Sequence, residues 1–246
     1  MPAITRAFFD KIWPAASSAL VPIFSIGLLR SRATLVNSTC RRTARRLGCP
    51  IPPWPCDRNA FVRAGADADR QKAERLLQRL SESQPAVQME KTSVNFLYVG
   101  LIARALPDAR IVHVGVNPTV VGSALVKTLF QTDGPHANDL TDIGYDMCAW
   151  SHLTTHWRDA LSSWFINIDH EAFFDDLDGE ARPIVADCKL PWEAAYRDFH
   201  LNRSLRSTAS GTQIRRLPHR SSAGLWRHYE NELAPPAQTL KRESVL

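Results

Sequence analysis

The sequence predicts an α/β protein with a central, mostly parallel sheet covered by helices on both faces. Two observations carry this. Short apolar runs at 21–26, 110–116 and 164–168 have the length and β-branched content of buried strands. Segments of helical period fill the intervals, and strands alternating with helices call for crossover connections rather than hairpins. At 246 residues and 27.6 kDa, with 44% hydrophobic and 22% charged residues, the chain can bury a sizeable core. One domain over 1–246 is the simplest count, with no internal repeat and no low-complexity tract.

The elements follow in order. Phe8, Phe9, Ile12 and Trp13 suggest a short helix that Pro14 limits. Val21-Pro22-Ile23-Phe24-Ser25-Ile26 reads as a buried strand closed by Gly27, with a helix from Ala33 to Arg46 after it. The prolines at 50, 52, 53 and 55 make 48–66 an irregular loop. Helical patterning resumes near Asp69, with Ala73, Leu76, Leu77 and Leu80 on one face, and again from Phe96 to Leu106, where Pro107-Asp108 ends it. Arg110 to Val116 is the clearest strand, and Pro118 closes it. Thr119 to Phe130 reads as a helix. A longer one runs from Leu140 to Leu161, with Ile143, Met147, Trp150, Leu153 (or Thr154) and Trp157 inward. A strand at 164–168, helices at 180–188 and 192–200, and a polar loop from Ser204 to Ser222 complete the plan.

Charge is uneven. No acid lies between Asp10 and Asp57, where Lys11, Arg30, Arg32, Arg41, Arg42, Arg45 and Arg46 give +7, so the rest of a chain of net +5 sums to −2. An anionic partner belongs to that stretch. A transit peptide and a nucleic-acid arm are lesser readings of it, no aromatics interleaving with the arginines, and a phosphate-binding loop with its following helix is the best one. Five cysteines, at 40, 49, 56, 148 and 188, have no ligand-like spacing; they argue against a zinc site and fit a reducing, cytoplasmic compartment. No apolar run approaches the ~20 residues of a membrane helix.

The first strand opens into Gly27-Leu28-Leu29-Arg30-Ser31-Arg32-Ala33-Thr34-Leu35. A loop leaving a parallel strand for a helix gathers free backbone N–H groups and is an anion site in waiting. It is not a Walker A loop, since Arg32-Ala33 stand where Gly-Lys would be.

Here the chain resembles the sulfotransferases, and most closely the bacterial tetratricopeptide-repeat-linked branch related to tyrosylprotein sulfotransferases. The loop is similar to G-x-P-R-S-G-[ST]-[ST]-L. Glu90-Lys91-Thr92-Ser93-Val94-Asn95-Phe96 is similar to D-K-x-P-x-N-F, and Thr208-Ala209-Ser210-Gly211-Thr212-Gln213 and Ser221-Ser222-Ala223-Gly224-Leu225-Trp226-Arg227 match later motifs. The ordered set spans roughly 20–37 and 85–235, leaving 38–66 outside it. The resemblance implies a three-layer, P-loop-like sulfotransferase fold and transfer of a sulfonate from 3′-phosphoadenosine 5′-phosphosulfate (PAPS) to a hydroxyl, with no metal. It implies catalytic roles for Arg30, Lys91 and Ser210. It places Arg30, Ser31 and Thr34 on the 5′-phosphosulfate, and Ser123, Gly224, Trp226 and Arg227 on the rest of the nucleotide. Partners would be PAPS and a hydroxyl-bearing peptide, sugar or small molecule.

The chain departs from the pattern in places. Leu29, Arg32 and Ala33 replace the loop's Pro, Gly and first hydroxyl. Val116 and Ala124 stand where the family places an Arg and a Ser for the 3′-phosphate, and Ser123 lies one residue off, about 100° round a helix. No carboxylate of the family's general-base pattern occurs in 38–66, while His113 and His136 are further candidates, His113 reading as a packed strand residue. A non-catalytic member acting through binding, and a nucleic-acid-binding protein, are the alternative expectations.

Overall fold

The structure, a computed structural model, describes residues 21–28, 31, 87–90, 95–106, 108–126, 139–169, 171–172, 176–187, 192 and 225–245. Four strands, β1 (Val21–Ile26), β2 (Val87–Glu90), β3 (Arg110–Gly115) and β4 (Phe165–Asp169), form one sheet in the order β2-β1-β3-β4. Every pairing is parallel, with Phe24 opposite Glu90 and Ile111, and Gly115 opposite Asp169. Among the described residues five helices accompany them: α1 (Val99–Ala105), α2 (Pro118–Val126), α3 (Leu140–Ala160), α4 (Leu177–Asp187) and α5 (Ala234–Arg242). None of the described helices is long and apolar enough to cross a membrane.

Both faces of the sheet are covered, as parallel strands require. On one, Phe24, Ile26 and Ile111 pack with Tyr98, Val99, Ile102, Ala103 and Leu106 around α1 and with Trp157 and Leu161 at the end of α3. On the other parity, Ile23, Val112, Val114, Ile166 and Ile168 are also buried. The Trp157 indole fixes α3 to the single 3₁₀ turn Asn95–Leu97 by donating Nε1–H to the Phe96 carbonyl at 2.8 Å.

A second core lies beyond the carboxyl ends of the strands. Val121 and Leu125 of α2, Ile143, Met147 and Cys148 of α3, and Leu240 of α5 form it, with Leu28, Val116, Leu140 and Val245 packed against it. The α3–α5 contact is close because Gly144 has no Cβ: one built there would lie 2.9 Å from Thr239 Cβ and 3.1 Å from Pro236 Cα. Arg242 Nη2 donates to Tyr145 Oη at 2.8 Å, and His152 Nε2 lies 3.3 Å from the Glu243 carbonyl oxygen, so the helix is tied at its far end as well.

The expected strands and the long helix are present with small shifts. Val116 falls outside β3, and Trp164 belongs to a 3₁₀ turn, Ser162–Trp164, ahead of β4. Pro118 does not merely close β3; it is the first residue of α2, where a missing N–H costs nothing. Thr154, not Leu153, is the buried residue of the α3 stripe, its hydroxyl donating to the Trp150 carbonyl at 2.8 Å. β2 and α5 were not expected. The expected elements at 1–20, 33–46, 48–66, 69–80 and 204–222 lie outside the described residues, as do 193–200.

Candidate functional site

The chain leaves the central strand β1 for β2 on one side and then crosses to β3 on the other. The carboxyl ends of β1 and β3 therefore flank a topological switch point, the place where open parallel sheets bind ligands.

On the β1 wall, Gly27 and Ser31 are buried, and the Ser31 amide donates back to the Leu28 carbonyl at 2.9 Å. That turn consumes one backbone donor. What Ser31 retains is its hydroxyl, 2% exposed and without a hydrogen-bond partner. Ser25 in β1 is likewise buried and unpartnered. A buried hydroxyl without a partner forfeits a hydrogen bond that a ligand oxygen would supply.

The β3 wall is different. Val116 packs against the apolar second core beside Leu28. Asn117 caps α2: its Oδ1 accepts the Thr119 amide at 2.9 Å and its carbonyl the Val120 amide at 3.0 Å. Ser123 donates its hydroxyl proton to the Val120 carbonyl at 2.8 Å, so only its lone pairs face outward. At the end of β4, Asp169 Oδ1 accepts the Glu171 and Ala172 amides at 2.8 and 3.2 Å. Loss of water raises Glu171 above the ordinary carboxyl range. The hydrogen bond and charge of Asp169 push the same way, while the backbone at Glu171 and Asn117 opposes them.

Of the residues expected from the sequence, Ser31, Ser123, Trp226 and Arg227 are described; Arg30, Thr34, Lys91, Ser210 and Gly224 lie outside the described residues. Ser31 follows β1 and Ser123 lies within α2, the helix after β3, with its proton already committed. The 3₁₀ segment Leu225–Tyr229 packs on α2, the helix of Ser123. In it, exposed Arg227 holds its guanidinium carbon 5.3 Å from the ring centre of half-buried Trp226.

His113 is a packed strand residue, as its position suggests. It stacks on Trp150 with ring centres 5.3 Å apart and bonds Asn167 Oδ1 through Nδ1 at 3.1 Å. Burial lowers its pKa below 6.5; Asn167 opposes this and Arg158 adds to it. Its Nε2 and the Trp150 Nε1 are buried without partners. Asp169, Glu171 and the Asn117 cap were missed. The available signal was an Asp-x-Glu leaving a strand, too short to separate from an ordinary turn. Among the described residues no group of three or more His, Cys, Asp or Glu is placed to hold a metal ion.

Among the described residues the sheet is wholly parallel, and the loop at its switch point carries a buried, unpartnered hydroxyl; this is an open α/β protein. The chain belongs to the Sulfotransferase family, whose sequence profile matches residues 40–194. That span takes in 48–66 and stops short of the first loop and of Trp226.

Among solved structures, the fold is similar to the sulfotransferase domain of the Synechococcus PCC 7002 olefin synthase. The TM-score is 0.58 with 11% identity over 88% of this chain and 91% of that one. It is also similar to sulfotransferase STF9 from Mycobacterium avium, with a TM-score of 0.50 and 15% identity over 88% and 77%. An uncharacterized protein of Aquifex aeolicus is 28% identical over 167 residues, 66% of this chain. The match spans 22% of that relative's length.

Proposed function

We propose that this chain, as a single domain over 1–246 in the cytoplasm, transfers a sulfonate from PAPS to a hydroxyl-bearing peptide, sugar or small molecule. The observation that carries the reading is the buried, unpartnered Ser31 hydroxyl in the loop that leaves the central strand at the switch point. When bound, the phosphosulfate supplies the sulfonate: the acceptor oxygen bonds to sulfur, the bridging S–O bond breaks with its electrons on the 5′-phosphate, and the hydroxyl proton is released.

The protein's task is to hold and neutralise spreading negative charge, work for fixed cations and donors. Arg30, Ser31 and Thr34 would hold the 5′-phosphosulfate, with Lys91 and Ser210 beside the moving group. Ser123, Gly224, Trp226 and Arg227 would border the nucleoside. Two facts support this arrangement: β2 ends at Glu90, immediately before Lys91, and Leu225–Tyr229 packs on the helix of Ser123. The quoted motifs favour the tyrosylprotein-related branch.

The test is release of 3′-phosphoadenosine 5′-phosphate from PAPS with a panel of phenol, sugar and alkyl alcohols. Turnover is expected in the native chain and lost in Lys91→Ala and Arg30→Ala. No turnover with any acceptor, in a chain that PAPS still stabilises, would favour the second reading, a binding member without catalysis. The apolar packing of Val116 is the observation on its side.

A further inference from the structure

Between the two cores the sheet carries a polar row. Ile26, His113 and Asn167 stand side by side across β1, β3 and β4, one residue before Gly27, where the loop to Ser31 begins. Three contacts fix the His113 imidazole in this row. Its Nδ1 lies 3.1 Å from Asn167 Oδ1, its face stacks on Trp150 of α3 with ring centres 5.3 Å apart, and Phe165 is tilted against it at 6.4 Å. A carboxamide oxygen only accepts, so Nδ1 carries the proton and the neutral ring keeps a bare lone pair on Nε2. That atom sits on the other edge of the ring, turned away from β4, and is buried without a partner. Burial favours the neutral form. Of the neighbours on β1, β4 and α3, Ile26, Phe165 and Trp150 carry no charge, Arg158 adds to the lowering of the pKa and Asn167 opposes it.

The next residue on this face of β3 is Gly115. A Cβ built there would meet, among the described residues, only the Ile168 carbonyl oxygen, at 3.5 Å. The strand therefore sets no side chain of its own between His113 and the carboxyl end, and the histidine as a whole is only half-buried. A ring kept for packing alone gains nothing from an orphan lone pair, which forfeits a hydrogen bond. An oriented, neutral imidazole with a free Nε2 beneath a ligand crevice is what proton abstraction from a hydroxyl requires, and such hydrogen bonds commonly close only when substrate is bound.

We infer that His113 is the base of the transfer, its Nε2 taking the proton of the acceptor hydroxyl, and that Asn167 is the residue that positions it. The inference rests on the sulfonate-transfer reading above and supplies the proton's destination. As the acceptor oxygen bonds to sulfur, its O–H bond breaks with the proton passing to Nε2, and the electron pair of the bridging S–O bond goes to the 5′-phosphate. The imidazolium so formed keeps its Nδ1–H on Asn167 Oδ1 and then loses the Nε2 proton to water. The acceptor approaches on the α3 face of the sheet, the face on which His113 lies.

Two measurements on the full chain test this. Imidazole NMR of the isotope-labelled protein above pH 6.5 is expected to show His113 neutral, protonated on Nδ1 and bare on Nε2, its signals assigned by their loss in His113→Gln. The opposite tautomer overturns the inference whether or not the chain turns over. The second measurement is release of 3′-phosphoadenosine 5′-phosphate from PAPS across pH, with the panel of alcohols. Native kcat should fall on the acid side with a midpoint below 6.5, the sign for a base that must be unprotonated. His113→Gln should lower kcat by about a hundredfold or more, leave KM for PAPS within about threefold and abolish the acid limb. Asn167→Asp sets a carboxylate on Nδ1–H and should move the limb up by about one unit or more. Where His113→Gln does not unfold cooperatively, the Asn167→Asp shift decides alone. A kcat for His113→Gln within about threefold of native, or an acid limb still in place, overturns the role of His113 while the transfer reading stands. A limb that does not move in Asn167→Asp overturns the role of Asn167. If the native chain turns over with no acceptor, the transfer reading fails and the inference with it.

Discussion

Replacing Gly144 by Ala puts a methyl group into the closest contact between α3 and α5. The new Cβ would stand 2.9 Å from Thr239 Cβ, 3.1 Å from Thr239 Oγ1 and 3.1 Å from the backbone Cα of Pro236, so α5 must move. Its ties through Arg242 to Tyr145 and from His152 to the Glu243 carbonyl resist that movement. Overpacking of this kind costs ~1–3 kcal/mol, while Ala in place of Gly inside a helix returns about 1 kcal/mol. The net loss should be about 0–2 kcal/mol. Gly122, inside α2, is the control: a Cβ there meets only Met147 Sδ, at 3.8 Å, an ordinary contact. Gly122→Ala should therefore gain roughly 0.5–1 kcal/mol from helix propensity alone. The two variants should differ by about 1–3 kcal/mol, or roughly 2–12 °C in Tm for a domain of this size. Thermal and urea unfolding of both, beside the native chain, measure it. A Gly144→Ala protein as stable as Gly122→Ala would refute the close helix contact and the packing argued from it.

Other predictions follow from single contacts. Trp157→Phe removes the donor to the Phe96 carbonyl and part of a buried ring; urea unfolding should show a loss of about 2–3 kcal/mol. For His113 the sign is set by burial: the unfolded chain takes up a proton near pH 6.5 and the folded chain does not, so stability is full above that pH and falls as pH drops below it. His113→Phe keeps a ring against Trp150 and should flatten the decline between pH 7 and 5, and an equally steep profile would show that another group governs it. Cys148 is 4% exposed and burial raises its thiol pKa, so peptide mapping should find it alkylated by iodoacetamide only under unfolding conditions.

The parts of the fold legible in the sequence were those with a repeating physical signal. The apolar run of β3 and the stripe of Ile143, Met147, Trp150 and Trp157 along α3 are set by burial, which leaves a period of two or 3.6 in the residues themselves. β2 is only Val87–Glu90 and exists because β1 offers it an edge, a tertiary cause with too few residues to carry a period. α5 was hidden by Pro235 and Pro236, which read as breakers although they occupy the first turn, where proline is at home. The site divides along the same line. Ser31 belongs to a loop motif continuous in sequence and could be named. The bond between His113 and Asn167 joins residues 54 apart and could not be seen before β3 and β4 were known to be neighbours.

The second core has a temporal consequence. Leu28 and Val116, the residues that lead out of the two strands bordering the crevice, rest on a cluster that includes Leu240 and against which Val245 also packs. The described sheet can assemble once β4 has been synthesised, because its four strands lie before residue 170. The backing of the crevice cannot, since its last members are made more than seventy residues later. A nascent chain should thus pass through a stage in which the sheet is paired and the ligand loops are unsupported. Support for the crevice loops would arrive as a separate event, later in synthesis than the sheet, long-range in sequence and correspondingly slow to form.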